Sequence, residues 1–179
     1  MNRPLLLALA VGAFVLGATT PAAADPARAT PTRWATVNIC DTIAHPDTLG
    51  VRASAPGNGT SEQIYMRFSA QYFDRSSKAW RAVKGQGVSP YVYAGSARFR
   101  TRETGYRFLF PSDKPATYQL RGRVQVEYRR ARKGRGERVV RRLALITSPG
   151  VVSRSPDEGD PRGYSASRCD MKVAPVPTP

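Results

Sequence analysis

The sequence predicts an all-β fold, an antiparallel β-sandwich of about seven to eight strands behind an N-terminal signal peptide. Three observations carry that prediction. Two long stretches, Gln63–Phe73 and Ala116–Tyr128, alternate apolar and polar residues with a period of two, as a strand with one buried and one wet face does. No stretch after the leader repeats its apolar residues at the helical period. Turn signals punctuate the chain, from Pro56-Gly57-Asn58-Gly59 to Pro111-Ser112-Asp113-Lys114-Pro115.

The first 24 residues have the build of a cleaved leader. Met1-Asn2-Arg3 is basic, Leu5–Gly17 is apolar, and Ala22-Ala23-Ala24 supplies small residues for a signal peptidase. The apolar run falls short of the ~20 residues a membrane-spanning helix needs, so export to the cell envelope or extracellular space is expected. A lipoprotein is not expected, because no cysteine stands at the cleavage point, and no apolar tail closes the chain. Residues 25–33 are rich in Pro, Ala and Thr and read as a flexible leader to the fold.

The core is expected over residues 34–147. Trp34–Cys40 is a first strand, Asp41–Asp47 a loop around His45-Pro46, and Leu49–Ser54 a second strand. In Gln63–Phe73, Ile64, Met66, Phe68, Ala70 and Tyr72 share one face, and Gln63, Arg67, Ser69 and Gln71 the other. Asp74–Lys78 turns the chain into Ala79–Val83, where Trp80 is expected over the core. Lys84–Pro90 is a loop, and Tyr91-Val92-Tyr93 an apolar piece that no pattern assigns. Ser96–Thr101 and Gly105–Phe110 are read as strands, the second with Tyr106, Phe108 and Phe110 on one face.

The strongest pattern is a hairpin. Even positions from Ala116 to Tyr128 are Ala116, Tyr118, Leu120, Gly122, Val124, Val126 and Tyr128; odd positions are Thr117, Gln119, Arg121, Arg123, Gln125 and Glu127. Lys133-Gly134-Arg135-Gly136 follows as a turn, and Val139–Thr147 as the return strand. With Gly134-Arg135 as a two-residue turn, Val126 faces Leu143, Val124 faces Leu145, and Glu127 faces Arg142. Each such pair is favourable by roughly 0.2–1 kcal/mol. Slipping by one residue would bury Arg142 against Val126. The preferred register sets Arg141 opposite Tyr128, near the hairpin mouth, where a long stem can snorkel.

Residues 148–179 change to Ser, Pro, Gly and charge, and read as an irregular segment with a proline-rich end and a short edge strand at Met171-Lys172-Val173. Cys40 and Cys169, the two cysteines of an exported chain, read as a disulfide tying that segment to the first strand. Closing so long a loop is worth up to about 5 kcal/mol in the chain-entropy view.

The segment Gly105–Gly122 resembles the E–F corner of immunoglobulin-like domains. A Tyr-x-Phe-x-Phe strand is followed by a Pro/Asp turn and then by Tyr118 at a strand start. The resemblance implies that Tyr118 is a tyrosine corner, bonded back across the turn. Leu120 stands where antibody domains carry their second inter-sheet cysteine, and Gln63–Phe73 holds no Trp, so a true antibody-type domain is excluded. The likeness brings no catalytic or binding motif. Alternation alone leaves a jelly roll or a small barrel open.

Chemistry is sparse. The single histidine, His45, has Asp41 and Asp47 nearby, but no Gly-x-Ser-x-Gly turn presents a serine. The 13 acids are scattered, and their one cluster, Asp157-Glu158-Gly159-Asp160, lacks the ligand spacing of a calcium loop. Catalytic residues, metal ligands and cofactors are therefore not expected. What stands out is a formal charge of +15, which removal of the leader lowers by one. Arginine far outnumbers lysine, as GC-rich coding favours, but codon usage does not explain the excess of bases over acids.

That excess concentrates on the hairpin. Arg121, Arg123, Arg129 and Arg142 fall on its outward face, with Arg130, Arg132, Lys133, Arg135 and Arg138 around the tip. Such a surface suits an anionic cell-wall polymer or an anionic lipid surface. Nucleic acid ranks below these, because single-strand binders interleave aromatics with basic residues, and Tyr128 is read as inward. A solvated charged edge that blocks aggregation is the competing reading. The expected function is a non-enzymatic exported binding module; a wall-active hydrolase and a protein ligand or inhibitor docking through a sheet edge are the alternatives.

Overall fold

The computed structural model describes residues 32–112, 115–151, 161 and 163–173. The expected leader 1–24, nearly all of 25–33, the acidic cluster 157–160 and the proline-rich end lie outside the described residues. Among the described residues nine strands follow in order: β1 Trp34–Thr42, β2 His45–Pro56, β3 Gln63–Asp74, β4 Ala79–Ala82, β5 Val88–Ser96, β6 Thr101–Leu109, β7 Ala116–Arg132, β8 Gly136–Ile146 and β9 Cys169–Val173. One 3₁₀ turn, Gly85–Gly87, joins β4 to β5.

The chain is all-β, and its strands pair antiparallel in two sheets. The smaller sheet runs β1-β2-β6. The larger runs β4-β3-β7-β8, with β5 also on β3 and β9 also on β7. One apolar core lies between them, drawing Val37, Leu49, Val51 and Phe108 from the smaller sheet and Met66, Phe68, Val124 and Val126 from the larger. Tyr106 and Phe110 pack against that core beside Phe108, as the Tyr-x-Phe-x-Phe pattern requires.

Both long alternating strands form as expected. The register of β7 on β8 matches as well: Val124 pairs with Leu145, Val126 with Leu143, Glu127 with Arg142 and Tyr128 with Arg141. Arg141 is exposed and its guanidinium carbon stands 5.0 Å over the Tyr128 ring, so its charge stays wet while it caps the aromatic. Beyond Tyr128 the register slips: Arg129 pairs with Val139 and Arg132 with Gly136. Val140 is the extra residue of the resulting bulge, and the turn holds three residues, Lys133-Gly134-Arg135, rather than two. Gly134 and Gly136 supply positive φ, 68° and 70°, where a side chain would be strained.

Other boundaries need correction. The loop read at Asp41–Asp47 shrinks to Ile43-Ala44, because Thr42 pairs with His45. Asp41 and Asp47 take positive φ there, and the Asp47 N–H donates to Asp41 Oδ1 at 2.9 Å. Of the strand read at Ser96–Thr101, residues 97–100 are a turn, Ser96 closing β5 and Thr101 opening β6. The Ala97 N–H donates to Glu62 O, and Ala97 O accepts from the N–H groups of Asn58 and Gly59, so that backbone is spent on the 57–62 loop. Tyr91-Val92-Tyr93 belongs to β5. Trp80 does not cover the core: it pairs with Phe73, in the outward row of β3, with ring centroids 5.4 Å apart.

Two links close the sheets on each other. Cys40 of β1 and Cys169 of β9 form the expected disulfide, with Cα atoms 5.3 Å apart. The segment after 148 thus adds a strand of its own, with Cys169, Met171 and Val173 buried. At the other end the buried Tyr128 donates its hydroxyl to Pro56 O at 2.6 Å, from β7 to β2. Between these links Gly122 lets the sheets meet. A Cβ there would lie 2.7 Å from the Val51 methyls and 2.8 Å from Thr147 Cγ2.

Gly122→Ala is therefore expected to cost about 1–3 kcal/mol through overpacking. Tyr128→Phe should cost about 1 kcal/mol through its lost hydrogen bond. Urea midpoints at unchanged m-value measure both, and an unmoved midpoint for Gly122→Ala would show that the sheets do not close on that glycine.

Candidate polyanion-binding surface

The pleat of β7 sends Arg121, Arg123, Gln125, Glu127 and Arg129 to the outer face of the larger sheet, beside Gln63, Tyr65, Arg67, Ser69, Gln71 and Phe73 of β3. Glu127 breaks the pattern of a wet face, since it is only 3% exposed. A buried carboxylate needs partners, and Glu127 has four. Arg129 donates from two nitrogens to Oε2 at 3.0 and 2.8 Å. Arg142 Nε donates to Oε1 at 3.0 Å, the Tyr91 hydroxyl at 2.9 Å, and Gln125 Nε2 at 3.4 Å. Burial pushes the Glu127 pKa up, but the bonds from Arg129, Tyr91 and Arg142 outweigh it and hold the carboxyl below its ordinary 4.5.

This cluster changes the standing of several arginines. Arg129 was expected to be exposed; its side chain is 22% exposed and packs between the rings of Tyr65 at 4.2 Å and Tyr91 at 4.5 Å. Arg142 gives one edge to Glu127, although the rest of it remains in solvent. Arg130 pairs with the buried Glu62 at 2.6 Å. The Asn58 amide is the leading cause that lowers the Glu62 pKa, ahead of burial, which raises it, and of Arg130. Arg121 donates to Gln71 Oε1 at 2.8 Å and lies 4.3 Å over the Trp80 ring.

The remaining cations are differently placed. Arg123, Arg132, Lys133, Arg135 and Arg138 are all exposed, and among the described residues their side chains make no hydrogen bond or ion pair. Four of the five sit at the β7–β8 tip, because the three-residue turn and its glycines bring the strand ends together there. The acid beside them is Glu137, which Arg129 approaches at 3.9 Å.

Sequence reasoning missed the rings on this face. Tyr65 follows the odd positions of β3, so alternation alone could have found it. Tyr91 and Tyr93 could not be found that way: they join Tyr65 and Arg67 only because β5 pairs with β3. The expected tyrosine corner also needs correction. Tyr118 is 38% exposed, and its hydroxyl makes no hydrogen bond among the described residues. It lies opposite Met171 at the open end of the core, where with Tyr72, Phe110, Pro111 and Leu120 it lines a cleft of about 320 Å³. The phenol that ties the sheets is Tyr128 instead.

Among the described residues, no three His, Cys, Asp or Glu side chains gather as a metal site, and no helix is long and apolar enough to cross a membrane. Comparison with family models, curated proteins and solved structures returns no match.

Glu127→Gln removes the charge that Arg129 and Arg142 share, and is expected to cost about 1–3 kcal/mol at pH 7. Because the folded pKa lies below 4.5, this stability is complete above about pH 4.5 and is lost as pH falls through the folded value. The gap in urea midpoint between the wild type and Glu127→Gln should therefore narrow from pH 6 towards pH 2. A gap that stays constant over that range would mean the carboxylate is not the group holding the two arginines.

Proposed function

We propose that the chain is an exported, non-enzymatic binding module of the cell envelope or extracellular space, built as an immunoglobulin-like sandwich, that holds polyanions through its basic β7–β8 hairpin. The observation that carries this reading is the state of the tip. Arg132, Lys133, Arg135 and Arg138 stand exposed without a hydrogen bond or ion pair among the described residues, within one turn of each other. Arg123 extends the same charge onto the sheet face. Arg129, Arg130 and Arg142 answer buried carboxylates first, so they support the hairpin more than they bind.

Export is supported by the leader-like first 24 residues and by the disulfide, which persists in oxidising compartments. The sandwich is supported by two antiparallel sheets with one core between them. The ligand class follows from the chemistry of the tip. Guanidinium and ammonium groups close together attract a chain of phosphate or carboxylate groups by releasing its counterions, whatever the polymer otherwise carries.

Replacing Arg132, Arg135 and Arg138 together by Gln should weaken binding to anionic wall polymer or anionic vesicles. It should also flatten the slope of log affinity against log salt by about 2–3. Stability should move by no more than about 0.5 kcal/mol per site. The control triple is Arg75, Lys78 and Lys84 to Gln, all exposed and placed around β4, beyond the end of β3 that is remote from the hairpin tip. Equal weakening by both triples would assign the attraction to net charge alone. No binding of any polyanion at moderate salt would end the proposal.

A further inference from the structure

The outer face of the larger sheet carries more than charge. Near the hairpin, Tyr93, Tyr65, Arg129, Tyr91 and Arg67 form a continuous series of rings and guanidinium planes across β5, β3 and β7. Tyr93 lies 5.3 Å from Tyr65, Arg129 caps both Tyr65 and Tyr91, and Arg67 stands 5.6 Å over Tyr91. A second patch, Phe73, Trp80 and Arg121, sits eight residues further along β3, roughly 26 Å away at the rise of a strand. Between them lie Ser69 and Gln71 of β3 with Arg123 and Gln125 of β7. Two ring patches thus flank a polar, cationic strip, and no described element packs over that face.

A polyanion without rings gains nothing from this arrangement. Phosphate or carboxylate chains need only the cations, and a sugar chain needs acceptors for its hydroxyls. Glu127, the carboxylate at the centre of the face, is already saturated by Arg129, Arg142 and Tyr91. Stacked bases, by contrast, use aromatic faces and guanidinium planes alike, while the strip between neutralises the backbone. Tyr93 is the most available platform at 55% exposed. Its hydroxyl is held by the Gln63 side chain, so the ring is already oriented.

Resting on the polyanion reading above, we infer that the ligand is single-stranded nucleic acid, its backbone drawn to the hairpin tip and a base stacked on the exposed Tyr93 ring, which the Arg129-capped Tyr65 holds in place. The sequence alone set nucleic acid below wall polymers for want of aromatics beside the basic residues; the rings that β5 and β3 bring beside Arg129 supply them and support the opposite order.

The test compares three probes on the purified chain: labelled (dT)16, inorganic polyphosphate of matched charge, and a polyuronate. (dT)16 is expected to bind. Tyr93→Ala should weaken it about 5- to 100-fold while changing polyphosphate affinity less than about twofold. Tyr93→Phe, which keeps the ring, should restore (dT)16 binding. The Arg132, Arg135 and Arg138 triple should weaken both (dT)16 and polyphosphate. If Tyr93→Ala leaves (dT)16 binding intact, or weakens polyphosphate equally, or if only polyuronate binding depends on Tyr93, the inference is overturned while the polyanion reading stands. If none of the three probes binds, the polyanion reading falls with it.

Discussion

Strand β7 hydrogen-bonds to β3, β8 and β9, and the rest of the structure depends on its pleat. One face must fill the core, and Leu120, Val124, Val126 and Tyr128 do so, with Gly122 bare where the sheets come closest. The opposite face then has no freedom: Arg121, Arg123, Glu127 and Arg129 project outward whether or not their charges find partners. A slip of one residue would exchange the two rows, so the apolar row locks the cationic one in place.

The electrostatics of the outer face follow from one expensive group. Glu127 is withdrawn from water on a sheet face, which is tolerable only because Arg129, Arg142 and Tyr91 converge on it. Their convergence recruits further contacts. Arg129, held in place by the carboxylate, becomes the plane on which Tyr65 and Tyr91 pack. The arginines of the hairpin therefore divide by role. Arg129, Arg130 and Arg142 are structural counter-ions or stacking planes, while Arg123 and the cations of the tip remain solvated charge.

The ring patches give that surface a polarity along β3 that net charge alone would not. Tyr65 and Phe73 both occupy odd positions of one strand, and each is met by aromatics from a different neighbour, Tyr93 from β5 and Trp80 from β4. Both neighbours lie along the same strand, one after the other, because β5 pairs with its first half and β4 with its end. A connection through the short 3₁₀ turn Gly85–Gly87 makes this arrangement possible. The gathering of rings and cations on that one face is thus a consequence of sheet topology.

What could be read from the chain was whatever depends on neighbours in sequence. The alternation of Gln63–Phe73 and Ala116–Tyr128, the pairing of Glu127 with Arg142, and the Cys40–Cys169 link were all legible, because period, charge matching and cysteine count are local or pairwise signals. The bulge at Val140 was not, since it answers the twist of the hairpin and leaves no mark in composition. Trp80 was read as lying over the core, and Tyr118 as a corner for its position in a pattern. Burial instead followed the partner strand, outward for the one and at the open end of the core for the other. Above all, the burial of Glu127 and the gathering of Tyr65, Tyr91 and Tyr93 around Arg129 were decided by tertiary structure alone. They require β5, β3, β7 and β8 to lie side by side, and the strength of a charge or the use of a ring depends on what stands beside it in space.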